Sequence, residues 1–227
     1  MCGRFSLVCS KTAIAQTFNV SSVPDFIPQY NIAPAQTIAT IRQDLEQQER
    51  QFQLMHWGLI PHWAKDEKIG YKLINARVET VTEKPAFRQA IRSQRCLILA
   101  DGFYEWQHQG KTKQPYYFQL ENHQPFGFAG LWERWNNPNG EENVSCTILT
   151  QAANETVRLV HERMPIILSP TVYSQWLDPT LKDSETILSL VQHNPNLRVY
   201  PVSSKVNRAT YNQPDCILPL DEAVEIL

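Results

Sequence analysis

The chain has 227 residues, 42% hydrophobic and 10% aromatic, with a formal net charge of −2, enough apolar material for a core of its own. A pI near 6.3 excludes a protein that coats nucleic acid through bulk positive charge. The longest apolar runs, 96–100 and 164–168, fall far short of the ~20 residues of a membrane helix, and no basic-then-apolar leader is visible, so a soluble, intracellular, cytoplasmic protein is expected.

The chain opens MCGRF. If Met1 is removed, Cys2 carries an amine and a thiol on adjacent carbons, a 1,2-aminothiol that no internal residue offers; the plain alternative is a small residue at an ordinary start. Ser10 caps a helix through KTAIAQTF, and the proline-rich VPDFIPQYNIAP cannot continue it, because proline lacks an amide donor and restricts its predecessor. Strand-like segments then recur as QTIATIR, QFQLMHWGLI, CLILADGFYEW, QPYYFQL, PFGFAGLWERW, SCTILTQA, MPIILS and LRVYPVS. Helical patterns fall at 82–94, 154–161 and 170–192, where Ser169 and Ser184 are the capping signals. The order is not a regular strand–helix alternation. The expectation is one α+β domain over 1–227, with mostly antiparallel curved sheets forming a barrel-like core and helices around it.

Five cysteines (Cys2, Cys9, Cys96, Cys146, Cys216) form no CxxC pair, which argues against a disulfide framework and a thiolate zinc site. Cys96 and Cys146 lie in apolar strand runs, where a buried inert thiol is expected. The six histidines show no ligand spacing, and no glycine-rich nucleotide loop is present, so neither a metal nor a cofactor is expected. From Lys72 to Lys113 eight basic residues face four acids, which allows a basic face or an ordinary mixed surface.

Three segments are more polar than a core strand tolerates. In LINARVET, extended backbone puts Asn75 and Arg77 on one face and Ile74 and Ala76 on the other; Asn with Arg suits an anion, and the plain alternative is an Arg77–Glu79 salt bridge. In ADGFYEWQ, Phe103 and Glu105 share one face and Tyr104 and Trp106 the other. A carboxylate beside aromatics is desolvated and becomes a candidate proton shuttle, whereas an edge-strand Glu would simply face solvent. In LVHERMPIIL, His161 and Arg163 sit where a helix gives way to a strand, and His161 can serve as acid or base near neutral pH.

The stretches MCGRF, YNIAPAQ, WGLIPHW, LINARVET, LADGFYEW, KQPYYF, LTQAANETVRLVHERMPIIL and the late PVS closely resemble, in this order from Cys2 to about Asn207, the SRAP family of SOS-response-associated peptidase-like proteins that bind abasic DNA. The resemblance implies that Cys2 captures the open-chain aldehyde of an abasic site in single-stranded DNA. Its amine, ordinarily near ~8, condenses to an imine, and its thiol, ordinarily near ~8.5, closes a five-membered thiazolidine. Because both groups belong to one residue, the second attack is intramolecular. By the same resemblance Asn75 holds the N-terminal amine or the sugar oxygen, and Glu105 shuttles protons. His161 protonates the sugar oxygen and helps release Met1. Arg4, Arg77 and Arg163 match phosphate-binding positions, and Thr150 a site-lining one. Pro34 and Trp63 fall in the segments of an apolar wedge, from which this chain departs: His62 precedes Trp63, and a charged AKDEKIGYK follows. A monomer that meets single-stranded DNA, and through it the replication machinery, is implied. A DNA-AP lyase side activity is open.

Two rivals remain. An N-terminal-nucleophile glutaminase also begins MCG, but needs an arginine in a GHTR-like segment, and no GH dipeptide exists here. The other rival is a noncovalent nucleic-acid-binding module.

Overall fold

A computed structural model of the chain describes residues 2–44, 49–110 and 112–220. In chain order its elements are β1 (Phe5–Leu7), α1 (Lys11–Phe18), β2 (Gln29–Ile32), β3 (Thr37–Gln43), β4 (Arg50–Trp57), β5 (Asn75–Arg77), α2 (Ala90–Ser93), β6 (Arg95–Ala100) and β7 (Gly102–Gln109). There follow β8 (Thr112–Leu120), β9 (Phe126–Asn136), β10 (Glu142–Ala152), α3 (Glu155–Arg158), β11 (Arg163–Pro165), α4 (Tyr173–Leu177), α5 (Ser184–Ser189) and β12 (Leu197–Pro201).

The strands close a five-membered barrel, β10-β4-β3-β6-β9, because β9 pairs with both β6 and β10. A second sheet, β12-β8-β7-β1-β2, stands against it. Pairing is antiparallel as expected, apart from β4 and β5, which run parallel to β10. A closed barrel leaves no ladder edge exposed. Between barrel and sheet the core is aromatic: Phe5 lies 5.0 Å from Trp57 and 5.8 Å from Phe128, and Phe103 stacks on Phe118 at 4.9 Å.

Several expectations hold. The side chain of Ser10 accepts from Ala13 N, and α1 ends at Asn19 in a left-handed conformation (φ 50°). Others need correction. The segment CLILADGFYEW is not one strand: it breaks at Asp101, β6 staying in the barrel and β7 crossing to the second sheet. The buried Asp101 carboxylate causes the break by accepting from Ser6 Oγ (2.6 Å), Val8 N and Cys9 N (2.9 Å), so it binds the end of β1 instead of extending a ladder.

The helix expected at 82–94 shrinks to α2, because Pro85 interrupts it and the carbonyls of Thr80 and Lys84 close turns ahead of it. The helix at 154–161 stops at Arg158, and 170–192 divides into a 3₁₀ turn, α4 and α5. Ser169 caps the first of these, but Asp183, one residue ahead of Ser184, caps α5.

Gly102, where β7 begins, has no room for a side chain: a Cβ there would lie 2.0 Å from the Tyr117 hydroxyl. That hydroxyl is 2.7 Å from Ser6 Oγ, so any shift of Tyr117 also breaks the contact to β1. Gly102→Ala is therefore expected to lower stability by about 3 kcal/mol, read as a fall in the urea midpoint; an unchanged midpoint would show that Tyr117 can swing away freely.

Candidate active site

The polar residues singled out along the sequence arrive from four elements. β1 pairs antiparallel with β7 in the register Phe5↔Phe103 and Ser6↔Gly102, and Tyr104 N donates to Arg4 O at 3.0 Å. Running that register back toward the N-terminus sets Gly3 opposite Glu105, one residue from Cys2, whose thiol feels the Glu105 charge. β5 lies alongside β10, with Asn75 opposite Ile148, Ala76 fully buried, and Asn75 and Arg77 on the other face. From there Asn75 Nδ2 donates to Cys2 O at 2.8 Å, while its Oδ1 is buried and has no partner among the described residues. His161 sits on the link from α3 to β11.

Burial sets the chemistry of these groups. Cys2 is fully buried, and desolvation, reinforced by the charge of Glu105, pushes its thiol well above the ordinary range. The resting group is therefore the neutral thiol. Glu105 is only 2% exposed, and desolvation raises its carboxyl to about 7. Near neutrality it is populated both with and without its proton, as a shuttle requires. Burial lowers the pKa of His161. Its Nδ1 lies 3.0 Å from Arg163 N and 3.1 Å from Arg163 O, so the backbone of Arg163 holds that edge of the ring.

Glu105 and His161 border a cleft of about 380 Å³ lined also by Arg4, Trp106, His108, Lys113 and Asn207, whereas Cys2 and Asn75 are not part of its lining. Three larger clefts, of about 690, 630 and 500 Å³, contain none of these residues. The basic residues differ sharply in role. Arg4 Nη1 donates to Asn31 Oδ1 and Val206 O, both at 2.7 Å, and its guanidinium lies 5.8 Å from the Trp106 ring. Arg163 forms a two-pronged pair with Glu79 at 2.6 and 3.0 Å and also donates to Thr150 O at 2.8 Å. Glu79 thus pairs with Arg163 and not with Arg77, which is exposed. Thr150 is fully buried, its hydroxyl 3.4 Å from Ala76 O.

Pro34 and Trp63 sit on two turns outside the cleft lining. Trp63 is 49% exposed. Its turn is held from below, with Trp135 Nε1 donating to Ala64 O at 2.7 Å and His62 Nδ1 3.2 Å from the buried Glu133 carboxylate. His108 and Lys113 were not singled out in the sequence. They face each other across the β7–β8 hairpin, whose turn contains Gly110 at φ 61°. The readable signal was that glycine between two strand segments, which makes its flanking residues cross-strand neighbours.

The SOS response associated peptidase (SRAP) family profile matches residues 1–209. The chain is an SRAP protein. A similar relative, the abasic site processing protein YoqW of Bacillus subtilis (strain 168), is 44% identical over 223 residues, covering 96% of this chain and 99% of that one. The abasic site processing protein HMCES of Xenopus tropicalis is 33% identical over 213 residues, covering 84% of this chain and 64% of its own. Among solved structures, a crystal structure of a Bacteroides thetaiotaomicron protein matches this SRAP chain with a TM-score of 0.85 and 28% identity, over 96% of this chain and 99% of that one. The barrel with its companion sheet is thus the SRAP fold. Among the described residues no helix is long and apolar enough to cross a membrane.

Proposed function

We propose that this SRAP protein recognises abasic sites in single-stranded DNA and captures them covalently through Cys2 once Met1 has been removed, shielding the lesion. The observation that carries the reading is the convergence on residue 2: Asn75 bonded to its carbonyl at 2.8 Å, a buried carboxyl at Glu105 with a pKa of about 7 beside its thiol, and His161 bordering the same cleft as Glu105. The names of the relatives agree with it.

The steps balance as follows. His161, in its protonated form, gives a proton to the ring oxygen of the abasic sugar while the C1′ hydroxyl passes its proton to Glu105, which opens the ring to the C1′ aldehyde. The Cys2 amine adds to C1′; one of its protons goes to the carbonyl oxygen, Glu105 delivers the second proton with which that oxygen leaves as water, and the other amine proton returns to His161, giving the imine. The thiol sulfur then adds to the same carbon, and its proton passes by way of Glu105 to the nitrogen. Nothing is oxidised or reduced. A thiol kept neutral by burial suits this order, because sulfur attacks only after the amine has made the electrophile. The same residues suit autoproteolytic release of Met1, and an imine that escapes the thiol is the species from which β-elimination of the strand would start. Both activities belong to the proposal, as does a monomer working on cytoplasmic DNA at replication sites.

Single-stranded DNA carrying one abasic site should give, with the mature protein, a retarded band that survives denaturation and vanishes in Cys2→Ala. Glutamine hydrolysis without that band would favour the amidotransferase reading, and retardation on native gels alone a noncovalent one. A mature chain that retains Met1 and still attaches would sink the mechanism.

A further inference from the structure

The cleft lined by Glu105, the charged neighbour of Cys2, contains groups for proton transfer and for an anion, and none set out to read a base. Its aromatic, Trp106, has one face covered by the Arg4 guanidinium at 5.8 Å, and its Nε1 donates to Asn207 Oδ1 at 2.6 Å, so it is held as part of the wall. Across the hairpin from the catalytic carboxyl, His108 and Lys113 form a cross-strand pair whose side chains are exposed and line the same cleft. With Arg4 and His161 they place four nitrogen bases around one carboxylate, Glu105. The cleft's 380 Å³ lies within the range of small-molecule sites, about 300–1,000 Å³.

We infer that the site also captures free short-chain aldehydes bearing a phosphate, the Cys2 aminothiol taking the aldehyde and the His108–Lys113 pair the phosphate. The inference rests on the aminothiol chemistry proposed above and extends it to a second substrate class, in which no polynucleotide is needed. The reaction is a condensation. The aldehyde carbon gains one bond to nitrogen and one to sulfur, and its oxygen leaves as water with one proton from the amine and one from the thiol. Lys113 supplies a charge from a flexible stem, and His108 a second hydrogen-bond donor. The same pair would hold the phosphate adjoining an abasic sugar in DNA, which gives the hairpin a role in the main reaction too.

The test incubates mature protein with 2-deoxyribose 5-phosphate or with unphosphorylated 2-deoxyribose and follows intact mass. Each rate is divided by that of free cysteine with the same sugar, which removes differences in open-chain content. The expected result is an adduct of sugar phosphate less one water, absent in Cys2→Ala and formed roughly tenfold faster than the unphosphorylated adduct, about the worth of one charge-assisted contact. In the double variant His108→Ala, Lys113→Ala that ratio should fall to near one. Equal normalised rates in the parent protein overturn the inference, as does attachment to an abasic oligonucleotide with no reaction of the sugar phosphate. If neither the oligonucleotide nor the sugar phosphate attaches, the proposed function falls with it.

Discussion

Glu105→Gln is expected to slow covalent capture of abasic DNA about a hundredfold or more, the usual worth of a positioned proton shuttle, and at the same time to stabilise the fold at alkaline pH. The sign follows from burial. The ordinary carboxyl value is 4.5 and the folded one about 7, so between these the folded chain holds a proton that the unfolded chain has released. Stability contributed by this group is fully present below pH 4.5 and is lost as pH rises through 7. A shift of this size corresponds to roughly 3 kcal/mol at about 1.4 kcal/mol per pH unit. Glutamine has nearly the same shape and no charge to desolvate, so the variant should match the parent at pH 4 and exceed it at pH 8. Urea unfolding at the two pH values measures this directly, and DNA affinity on native gels should hold. A variant that is less stable than the parent at pH 8 would show that the carboxylate is welcomed by its surroundings, and the shuttle role would lose its physical basis.

That cost also explains which parts of the molecule could be read in advance. Cys2, Glu105 and His161 were legible because each breaks a local rule: a thiol behind the initiator, a carboxylate among aromatics, a histidine at a helix-to-strand switch. Such violations concentrate at sites where function outweighs stability. The helix α1 was legible because Ser10 and the run to Phe18 lie within one local pattern. By contrast β1 and β5, which deliver Cys2 and Asn75, are three residues each and too short to show any periodicity. The Arg163–Glu79 pair joins residues 84 apart, and the parallel pairing of β5 with β10 joins residues more than 70 apart, so no local window contains either. For the same reason the pairing of Arg163 with Glu79 could not be read from LVHERMPIIL. Distance along the chain, more than composition, marked the limit of reading.

Arg95 makes the point with energy attached. It counted toward the basic stretch between Lys72 and Lys113, yet it is 2% exposed and lends nothing to a basic face. Its guanidinium donates to four carbonyls: Trp176 O at 2.6 Å, Ile91 O at 2.7 Å, Leu181 O at 3.1 Å, and Asp178 O. Burial lowers its pKa to about 10, so it remains charged at neutral pH. These carbonyls lie on α2, on α4 and in the turns that follow α4, and the neighbouring Cys96 O accepts from Trp176 Nε1 at 2.8 Å, so this corner fastens the helices to the start of β6. Arg95→Met keeps much of the volume and removes every donor. The carbonyls left without partners should cost about 3–5 kcal/mol, seen as a large drop in the urea midpoint. Arg95→Lys keeps the charge but lacks the fork that reaches four acceptors, so it should recover less than half of the loss. Crosslinking per folded molecule should be unchanged in both variants, because the cleft that Arg95 lines shares no residue with the one lined by Glu105 and His161. A loss below about 1 kcal/mol in Arg95→Met would mean that water takes over these carbonyls, and that the helices are fastened by Trp176 and its apolar neighbours alone.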